Sequence, residues 1–364
     1  MEKNLIRSLH LVEQGFDKLK AAFLHRRGYI KDVQLISYYG YGNNDLISFE
    51  GRVLKDREIA VTKSNDTIFK NIERMYKHFG SIELPGVSVT ATYGQETRST
   101  ITDDEGYYKF KFPIPSYLDK SQLWHQIGVK LSQGQDFEAS QTAWVQVPLP
   151  KTAFGVISDI DDTILQTGSS NRLKSITTTF TKNADTRLSF PGVHRLYSGL
   201  QNGNTPHPVN PIFYLSNSPW NLYDFLVEFM ELKNIPKGSL LLRDWGLDNE
   251  KMIVDDNHKL NTIAKLLNTY PKLPFILIGD SGEKDPEYYH KIVQQYPKQI
   301  LAIYIRDVSD EPRDSELRNI VKEVEALGVP MFLMEDSFTA AEHAEVMGWI
   351  NKETLELVRE AVWH

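Results

Sequence analysis

The feature that most constrains this fold is a series of five short apolar segments after residue 150, separated by stretches with helical periodicity. The apolar segments are 153–158, 212–216, 239–243, 275–279 and 301–306. The helical stretches are 191–201, 219–233, 258–269, 285–296 and 313–327. Continuous apolar strands that alternate with helices are typical of a parallel sheet covered on both faces. We therefore predict a doubly wound parallel α/β domain over residues 151–364.

The pattern before residue 150 is different. Residues 4–24 show helical periodicity and predict an N-terminal helix within 1–29, and a second helix fits 66–79. The rest of 30–150 consists of short alternating segments separated by turn residues, which predicts an antiparallel β-sandwich. The segment 86–110 resembles the transthyretin-like or carboxypeptidase-regulatory type of sandwich, within the broader immunoglobulin-like group.

Composition excludes several kinds of site and partner. The 364 residues carry a net charge of -7, so a general nucleic-acid-binding surface is not expected. The absence of cysteine excludes disulfides, thiol catalysis and zinc-thiolate sites. The N-terminus lacks the apolar stretch of a signal peptide, and no apolar run reaches the ~20 residues of a transmembrane segment. We expect a cytoplasmic protein, with peripheral contact at membranes left open.

A cluster of carboxylates follows the first apolar segment of the α/β domain. Asp159, Asp161 and Asp162 come directly after Ser158. In a parallel sheet, ligands bind beyond the carboxyl ends of the strands. Three adjacent carboxylates repel one another unless a cation or hydrogen bonds offset their charge. A metal site with a nucleophile and a solvated acidic turn or helix N-cap are both compatible with this segment.

Two further polar positions lie where helices follow strands. Ser216 and Asn217 end the second apolar segment and offer a hydroxyl and backbone N–H groups to an anion, although Ser218 before Pro219 also fits an ordinary helix start. Lys259 lies at the start of a helix, where the helix dipole disfavours a cation. A solvated surface lysine is the alternative.

The fourth polar position follows the most apolar strand. Asp280 comes directly after Gly279, and Asp285 lies five residues later. A glycine allows the loop to approach a ligand closely, and carboxylate oxygens are typical ligands of magnesium. Asp285 before Pro286 also fits a helix start. All four positions are expected at one rim of the sheet.

The motifs occur in the order Asp-x-Asp-x-Thr, Ser, Lys and Gly-Asp-x₄-Asp, which resembles the signature of the haloacid-dehalogenase-like (HAD-like) phosphatase superfamily. Longer strings over about 150–335 are similar to the catalytic domain of the actin-patch-associated phosphatidate phosphatase family. These strings are SDIDDTI, FYLSNSPWNLY, LLLRDWG, ILIGDSGEKDPEYY and IYIRDV. The resemblance implies a HAD-like Rossmannoid fold and a Mg²⁺-dependent phosphomonoester hydrolase of lipid metabolism, most consistent with a phosphatidate phosphatase.

The resemblance also implies roles for individual residues. Asp159 would form an aspartyl-phosphate intermediate, and Asp161 would act as general acid and base. The implied magnesium ligands are the carboxylates of Asp159 and Asp280 and the main-chain carbonyl of Asp161. The implied phosphate-binding and loop-ordering residues are Asp161, Thr163, Ser216, Asn217, Arg243 and Lys259.

Two arginines also end predicted strands. Arg243 and Arg306 could each contact a phosphate or substrate head group, or pair with the neighbouring Asp244 or Asp307. The second arrangement is the favoured one. For Arg243, phosphate contact is nevertheless retained as an expectation.

The segment 167–210 predicts a flap and a connecting helix rather than a full cap domain. An open site of this kind suits a phosphorylated lipid as well as a small phosphoester. Two other functions remain open: a phosphatase of soluble phosphometabolites, and a non-catalytic lipid- or protein-binding module on the same fold. The sandwich would serve as support, or would dock to membranes or actin-associated partners.

Overall fold

The computed structural model describes residues 33–55, 82–114, 119–131, 138–166, 189–243, 257–308 and 313–363. The predicted helices over 4–24 and 66–79 and most of the predicted flap lie outside these residues. The described chain forms two compact units. The first comprises 33–55, 82–114, 124–131 and 138–145, and the second comprises 119–123, 146–166, 189–243, 257–308 and 313–363.

The first unit contains a nine-stranded sheet with antiparallel pairing, as the alternating pattern predicts. Its order is β1-β3-β2-β9-β8-β5-β6, and β4 and β7 also pair with β3. Pairs such as β3 with β7 and β5 with β8 are antiparallel. The strands are β1 Val33–Ser37, β2 Gly40–Gly42, β3 Leu46–Lys55, β4 Ile82–Glu83, β5 Ser88–Tyr93, β6 Glu96–Ile101, β7 Tyr107–Pro113, β8 Trp124–Leu131 and β9 Ser140–Gln146.

The core of this sheet follows the period of two. On β7, Tyr108, Phe110 and Phe112 are buried, whereas Lys109 and Lys111 are exposed. Aromatic rings stack within this core, since the ring centroids of Phe49 and Phe110 lie 5.4 Å apart. The predicted sheet is therefore present, while the packing of a sandwich stays a prediction.

The second unit contains a six-stranded parallel sheet, which confirms the predicted α/β architecture. The order is β12-β11-β10-β13-β14-β15, and all neighbouring strands run parallel. The sequence predicts five of these strands and misses the short edge strand β15. The strands are β10 Gly155–Asp159, β11 Ile212–Pro219, β12 Ser239–Arg243, β13 Phe275–Asp280, β14 Ile300–Arg306 and β15 Met331–Met334.

Helices follow the strands and form two groups by their contacts. Helices α1, α6 and α7 contact one another, whereas α4 contacts both α3 and α5. Because parallel crossovers are right-handed, the reversal of strand order places α1 and α3–α5 on opposite faces of the sheet. The helices are α1 Val193–Asn202, α2 Tyr223–Leu232, α3 His258–Thr269, α4 Asp285–Gln295, α5 Asp314–Ala326, α6 Ser337–Val346 and α7 Lys352–Trp363.

The strand order reverses between β10 and β13, the neighbouring strands at the centre of the sheet. Ser158 pairs with Ile278, so the last residues of the two strands, Asp159 and Asp280, lie at one edge. In open α/β sheets, ligands bind at this switch point. The apolar residues before these aspartates are fully buried, which fixes where the carboxylates emerge.

Within the described part of the chain, no helix combines the length and apolar character needed to cross a membrane.

Candidate active site

Lys259 lies in the first turn of α3, and the site is organised around its buried ammonium group. The residue is 2% exposed, so the alternative of a solvated surface lysine is wrong. Its Nζ lies 2.6 Å from Oδ1 of Asp159, 2.7 Å from Oδ1 of Asp285 and 3.0 Å from Oε2 of Glu283. Burial alone would lower the pKa of Lys259, but the surrounding carboxylates outweigh it and raise that pKa well above its usual value.

Three buried carboxylates meet at the switch point and could hold a cation. One oxygen each of Asp159, Asp280 and Asp285 lies within 4.8 Å of the others. Burial raises the pKa of all three, with the charge of Lys259 opposing it. For Asp280, burial and the neighbouring charge of Asp285 raise the pKa to about 8. With all three ionised, the cluster would carry more negative charge than one lysine offsets, and this repulsion adds to the effect of burial on their pKa values.

Three carboxylate oxygens of this cluster accept no hydrogen bond from the described residues, and one of them, Oδ1 of Asp159, forms an ion pair with Lys259. Oδ2 of Asp159 and Oδ2 of Asp280 are buried and accept no hydrogen bond within the described residues. Leaving a buried acceptor unsatisfied is costly, and more so for a charged group. Magnesium prefers oxygen ligands, so these atoms fit a bound Mg²⁺ in chemistry and in charge.

The loop after β10 places Asp161 against Ser216. The Ser216 hydroxyl donates to Oδ2 of Asp161 at 2.8 Å, and the backbone N–H of Ser218 donates to Oγ of Ser216 at 2.9 Å. Asp162 adopts a left-handed conformation with φ of 53°, and the chain turns back so that Leu165 bridges to Asp161. The turn and the hydroxyl together orient the Asp161 carboxyl group.

The loop after β13 is organised around Asp285, the first residue of α4. Its Oδ2 accepts the backbone N–H of Asp280 at 3.4 Å, while its Oδ1 contacts Lys259. A Cβ atom on Gly279 would lie 2.6 Å from Oδ2 of Asp285, so the glycine leaves the space that this carboxylate occupies. Asp285 thus begins the helix and also belongs to the charge cluster.

Glu283 is a site residue that the sequence reasoning missed. Its backbone N–H donates to Oδ1 of Asp280 at 2.9 Å. Its Oε2 accepts from Nζ of Lys259 and, at 3.3 Å, from Nδ2 of Asn217. The available signal was its position in the loop between Asp280 and Asp285. Asn217 therefore lies beside the cluster through its contact with Glu283, and its binding to phosphate stays a prediction.

Arg306, at the end of β14, supports the loop after β10 instead of pairing with Asp307. Its Nε donates to the carbonyl oxygen of Thr163 at 3.2 Å, and its Nη2 donates to Oγ of Ser337 at 3.2 Å. The guanidinium carbon also lies 3.9 Å from the ring centroid of Phe190. Burial lowers the pKa of Arg306 to about 10. The favoured structural role is present, but the predicted partner is wrong.

Thr163 and Arg243 are not brought into the cluster by a side-chain contact. Oγ1 of Thr163 is buried and makes no hydrogen bond to the described residues. Arg243 ends the edge strand β12 and is half-buried. No described hydrogen bond or ion pair joins it to the cluster, and its alternative partner Asp244 lies outside the described residues. Phosphate binding by Arg243 stays a prediction.

Residues 154–307 match the family model of the phosphatidate phosphatase APP1 catalytic domain. The matched segment contains every predicted site residue and also Glu283 and Asp285. The resemblance to a phosphatidate phosphatase catalytic domain, noted from the sequence motifs, is thereby confirmed for this segment.

Two curated relatives extend the comparison. The chain is 37% identical over 186 residues to phosphatidate phosphatase APP1 of Saccharomyces cerevisiae, covering 47% of this chain and 29% of that protein. It is 28% identical over 213 residues to an uncharacterized protein of Schizosaccharomyces pombe, covering 58% of this chain and 34% of that protein. The chain thus spans about a third of the length of these relatives.

Among solved structures, a carbohydrate acetylesterase from Xanthomonas citri aligns with a TM-score of 0.28 and 10% identity, over 88% of this chain and 71% of that one. A similarity this low carries no argument about fold or function.

Proposed function

We propose that this protein is a Mg²⁺-dependent phosphomonoester hydrolase of the HAD-like type, acting on phosphatidate or a related lipid phosphate. The observation that carries the proposal is the buried cluster of Asp159, Asp280 and Asp285 around Lys259. It lies at the switch point of a parallel sheet, within the segment similar to a phosphatidate phosphatase catalytic domain.

The residues that would hold the metal are Asp159 and Asp280, through their carboxylates, and Asp161, through its main-chain carbonyl. Bound there, Mg²⁺ would offset the negative charge of the nucleophile and of the phosphate. Asp285 contacts Lys259 through Oδ1 and the backbone of Asp280 through Oδ2. Because both of its oxygens are engaged, we assign it to positioning Lys259 and the loop.

Asp159 is the proposed nucleophile. One of its carboxylate oxygens forms a bond to phosphorus while the bond from phosphorus to the leaving oxygen breaks, which gives an aspartyl-phosphate. Lys259 opposes the effect of burial on Asp159 and so favours the ionised carboxylate that this step requires. Water then attacks the aspartyl-phosphate, releasing inorganic phosphate and restoring the carboxylate.

Asp161 is the proposed acid and base. Its protonated carboxyl group donates to the leaving alkoxide in the first step and accepts a proton from the attacking water in the second. The hydrogen bond from Ser216 holds one of its oxygens at a fixed place. This fixed orientation matters because proton transfer needs the donor within hydrogen-bond reach of the leaving oxygen.

The phosphoryl oxygens would be held by Lys259 and Asn217, together with backbone N–H groups, while Ser216 donates its single O–H to Asp161 and acts through that residue. Both Lys259 and Asn217 already bind an anionic oxygen, that of Glu283. Donors aimed at developing negative charge are usually the largest contribution to catalysis, and removal of one costs about 3 kcal/mol.

The proposed lipid substrate follows from the similarity to the yeast enzyme's catalytic domain. A cytoplasmic location and peripheral contact with membranes are part of the same proposal. The supporting role of the first unit also remains a proposal.

The direct test is phosphate release from phosphatidate in mixed micelles, compared with release from a small soluble phosphoester, with and without Mg²⁺. We expect Mg²⁺-dependent release that favours phosphatidate and is lost in Asp159→Asn. Asp45→Asn is the control, because Asp45 is exposed in the first unit. Faster release from the soluble ester would show that the substrate is a soluble phosphoester and not a lipid phosphate. No phosphate release from either substrate by folded wild-type protein would contradict the proposed phosphatase activity.

A further inference from the structure

The ammonium group of Lys259 is surrounded by carboxylates: it donates to Oε2 of Glu283 and to Oδ1 of Asp285, and it forms an ion pair with Oδ1 of Asp159. A lysine ammonium carries three N–H donors. Its Nζ lies within 3.0 Å of three carboxylate oxygens, those of Asp159, Asp285 and Glu283. A phosphoryl oxygen that approaches Lys259 therefore competes with these carboxylates for its N–H groups.

The carboxylate best able to move is that of Glu283. The side chains of Asp159 and Asp285 are 1% and 0% exposed, whereas that of Glu283 is 16% exposed. Asp285 is also held by the backbone N–H of Asp280. A ligand that arrives from solvent can thus displace the carboxylate of Glu283, but not those of Asp159 and Asp285.

The backbone of Glu283 is fixed, so only its side chain needs to move. The N–H group donates to Oδ1 of Asp280 at 2.9 Å, and the carbonyl oxygen accepts from Nη2 of Arg313 at 2.7 Å. The carboxylate bridges two donors, since the same Oε2 accepts from Lys259 at 3.0 Å and from Asn217 at 3.3 Å. This is the contact pattern of a bound anionic oxygen.

We propose that the Glu283 carboxylate occupies the place of a substrate phosphoryl oxygen, between Lys259 and Asn217, and that substrate binding displaces it. This inference rests on the proposed function, in which these two donors bind the phosphate. In the absence of substrate, the Glu283 carboxylate then occupies the phosphate-binding position.

The exchange selects for the charge of the ligand. A phosphodiester carries one negative charge and would replace one carboxylate charge without gain. A phosphomonoester reaches two negative charges near neutral pH, because its second pKa is about 6. The substrate class that displaces Glu283 is therefore the terminal, dianionic phosphomonoester.

The test measures binding of inorganic phosphate by titration calorimetry in a buffer that contains Mg²⁺. We compare the wild type with Glu283→Gln and Glu283→Asp. The first removes the charge, and the second keeps the charge but shortens the side chain by one methylene. We expect both variants to bind inorganic phosphate roughly tenfold more tightly, because the competing charged hydrogen bonds are lost or lengthened.

Glu287→Gln is the matched control. Glu287 lies four residues further along the chain and pairs with Arg313 at 2.8 Å, and no described contact joins it to Lys259. It removes one negative charge near the site without removing the contact. We expect its affinity for phosphate to match that of the wild type.

Phosphate affinity that is unchanged or weaker in Glu283→Asp would overturn the inference. An equal gain in Glu283→Gln and Glu287→Gln would also overturn it, since charge alone would then explain the effect. If Glu283→Asp fails to fold, the comparison of the two glutamine variants decides. If the wild type hydrolyses phosphoesters but the Glu283 variants bind phosphate no more tightly than it does, the inference is overturned and the proposed function stands. A wild type that neither hydrolyses phosphoesters nor binds phosphate would overturn both.

Discussion

Nζ of Lys259 lies 2.6 Å from Oδ1 of Asp159, and both side chains are almost fully buried. A buried pair of this kind is costly to form, and removal of one partner leaves an uncompensated charge. Here the lysine is surrounded by more carboxylates than it can neutralise. The arrangement suits a site whose remaining negative charge is offset by a cation.

Replacing Lys259 with methionine should abolish most of the activity. The variant keeps the length of the side chain but removes the charge that opposes protonation of Asp159. We expect kcat for phosphate release to fall by about 100-fold or more. Lys265→Met is the matched control, since Lys265 is exposed on the same helix and its activity should stay within twofold. Comparable activity in the two variants would contradict the role of Lys259.

Replacing Asp280 with asparagine should stabilise the metal-free protein at high pH. In the folded state, burial raises the pKa of Asp280 from 3.8 to about 8, so the folded protein binds more protons than the unfolded chain between these values. The free energy of unfolding of the metal-free wild type should therefore decrease as pH rises through this range. At the upper end, Asp280→Asn should be more stable than the wild type by about 1–3 kcal/mol.

Urea denaturation with a chelator present, near pH 5 and pH 8, measures this difference. Added Mg²⁺ should stabilise the wild type and leave Asp280→Asn unchanged, because a ligand that binds only the folded state raises its stability. A wild type that gains no stability from Mg²⁺ at pH 8 would remove the metal from the proposal.

Replacing Asp161 with asparagine should affect substrates according to their leaving groups. An alkoxide needs a proton as it leaves, whereas a nitrophenolate leaves without one. We expect kcat to fall by about 100-fold or more on an alkyl phosphate and clearly less on nitrophenyl phosphate. Ser216→Ala should also lose more kcat on the alkyl phosphate than on nitrophenyl phosphate, although both losses should be smaller. The reason is that the Ser216 hydroxyl orients Asp161. Equal losses on both substrates would assign Asp161 a different role.

Replacing Arg306 with methionine should loosen the loop that carries Asp161. The guanidinium holds the carbonyl oxygen of Thr163 and lies over the ring of Phe190. We expect a loss of about 2–4 kcal/mol in the free energy of unfolding, because buried hydrogen bonds are broken. Urea denaturation measures it, with Arg359→Met as an exposed control that should change little.

The sequence carries enough information for the parallel sheet and for the carboxylates at its edge. Strands β10 and β13 are continuous apolar segments, and a polar residue that ends such a strand must lie at the rim. The edge strand β15 is only four residues long and partly exposed, so its pattern is weak. Strand β15 forms because it pairs with β14, and this pairing is not visible in its own short sequence.

The sequence does not predict the partners of the charged side chains at the site, and this has one physical cause. Lys259 looks like a surface residue because its burial depends on Asp159, 100 positions earlier, and on the loop that follows β13. For the same reason, the sequence does not indicate Glu283 as a site residue, and it predicts the wrong partner for Arg306. Local pattern predicts which elements form, whereas the partners of a charged side chain depend on contacts between distant segments.

The pairing of β10 with β13 has a consequence for biosynthesis. Asp159 emerges from the ribosome more than a hundred residues before Asp280 and Asp285, so the carboxylate cluster cannot form until β13 and the loop after it have been made. The proposed active site is completed only when β13 inserts beside β10, which is made much earlier. A nascent chain released before that strand would be inert and would expose the apolar flank of its oldest strand, a ready target for chaperones and proteases.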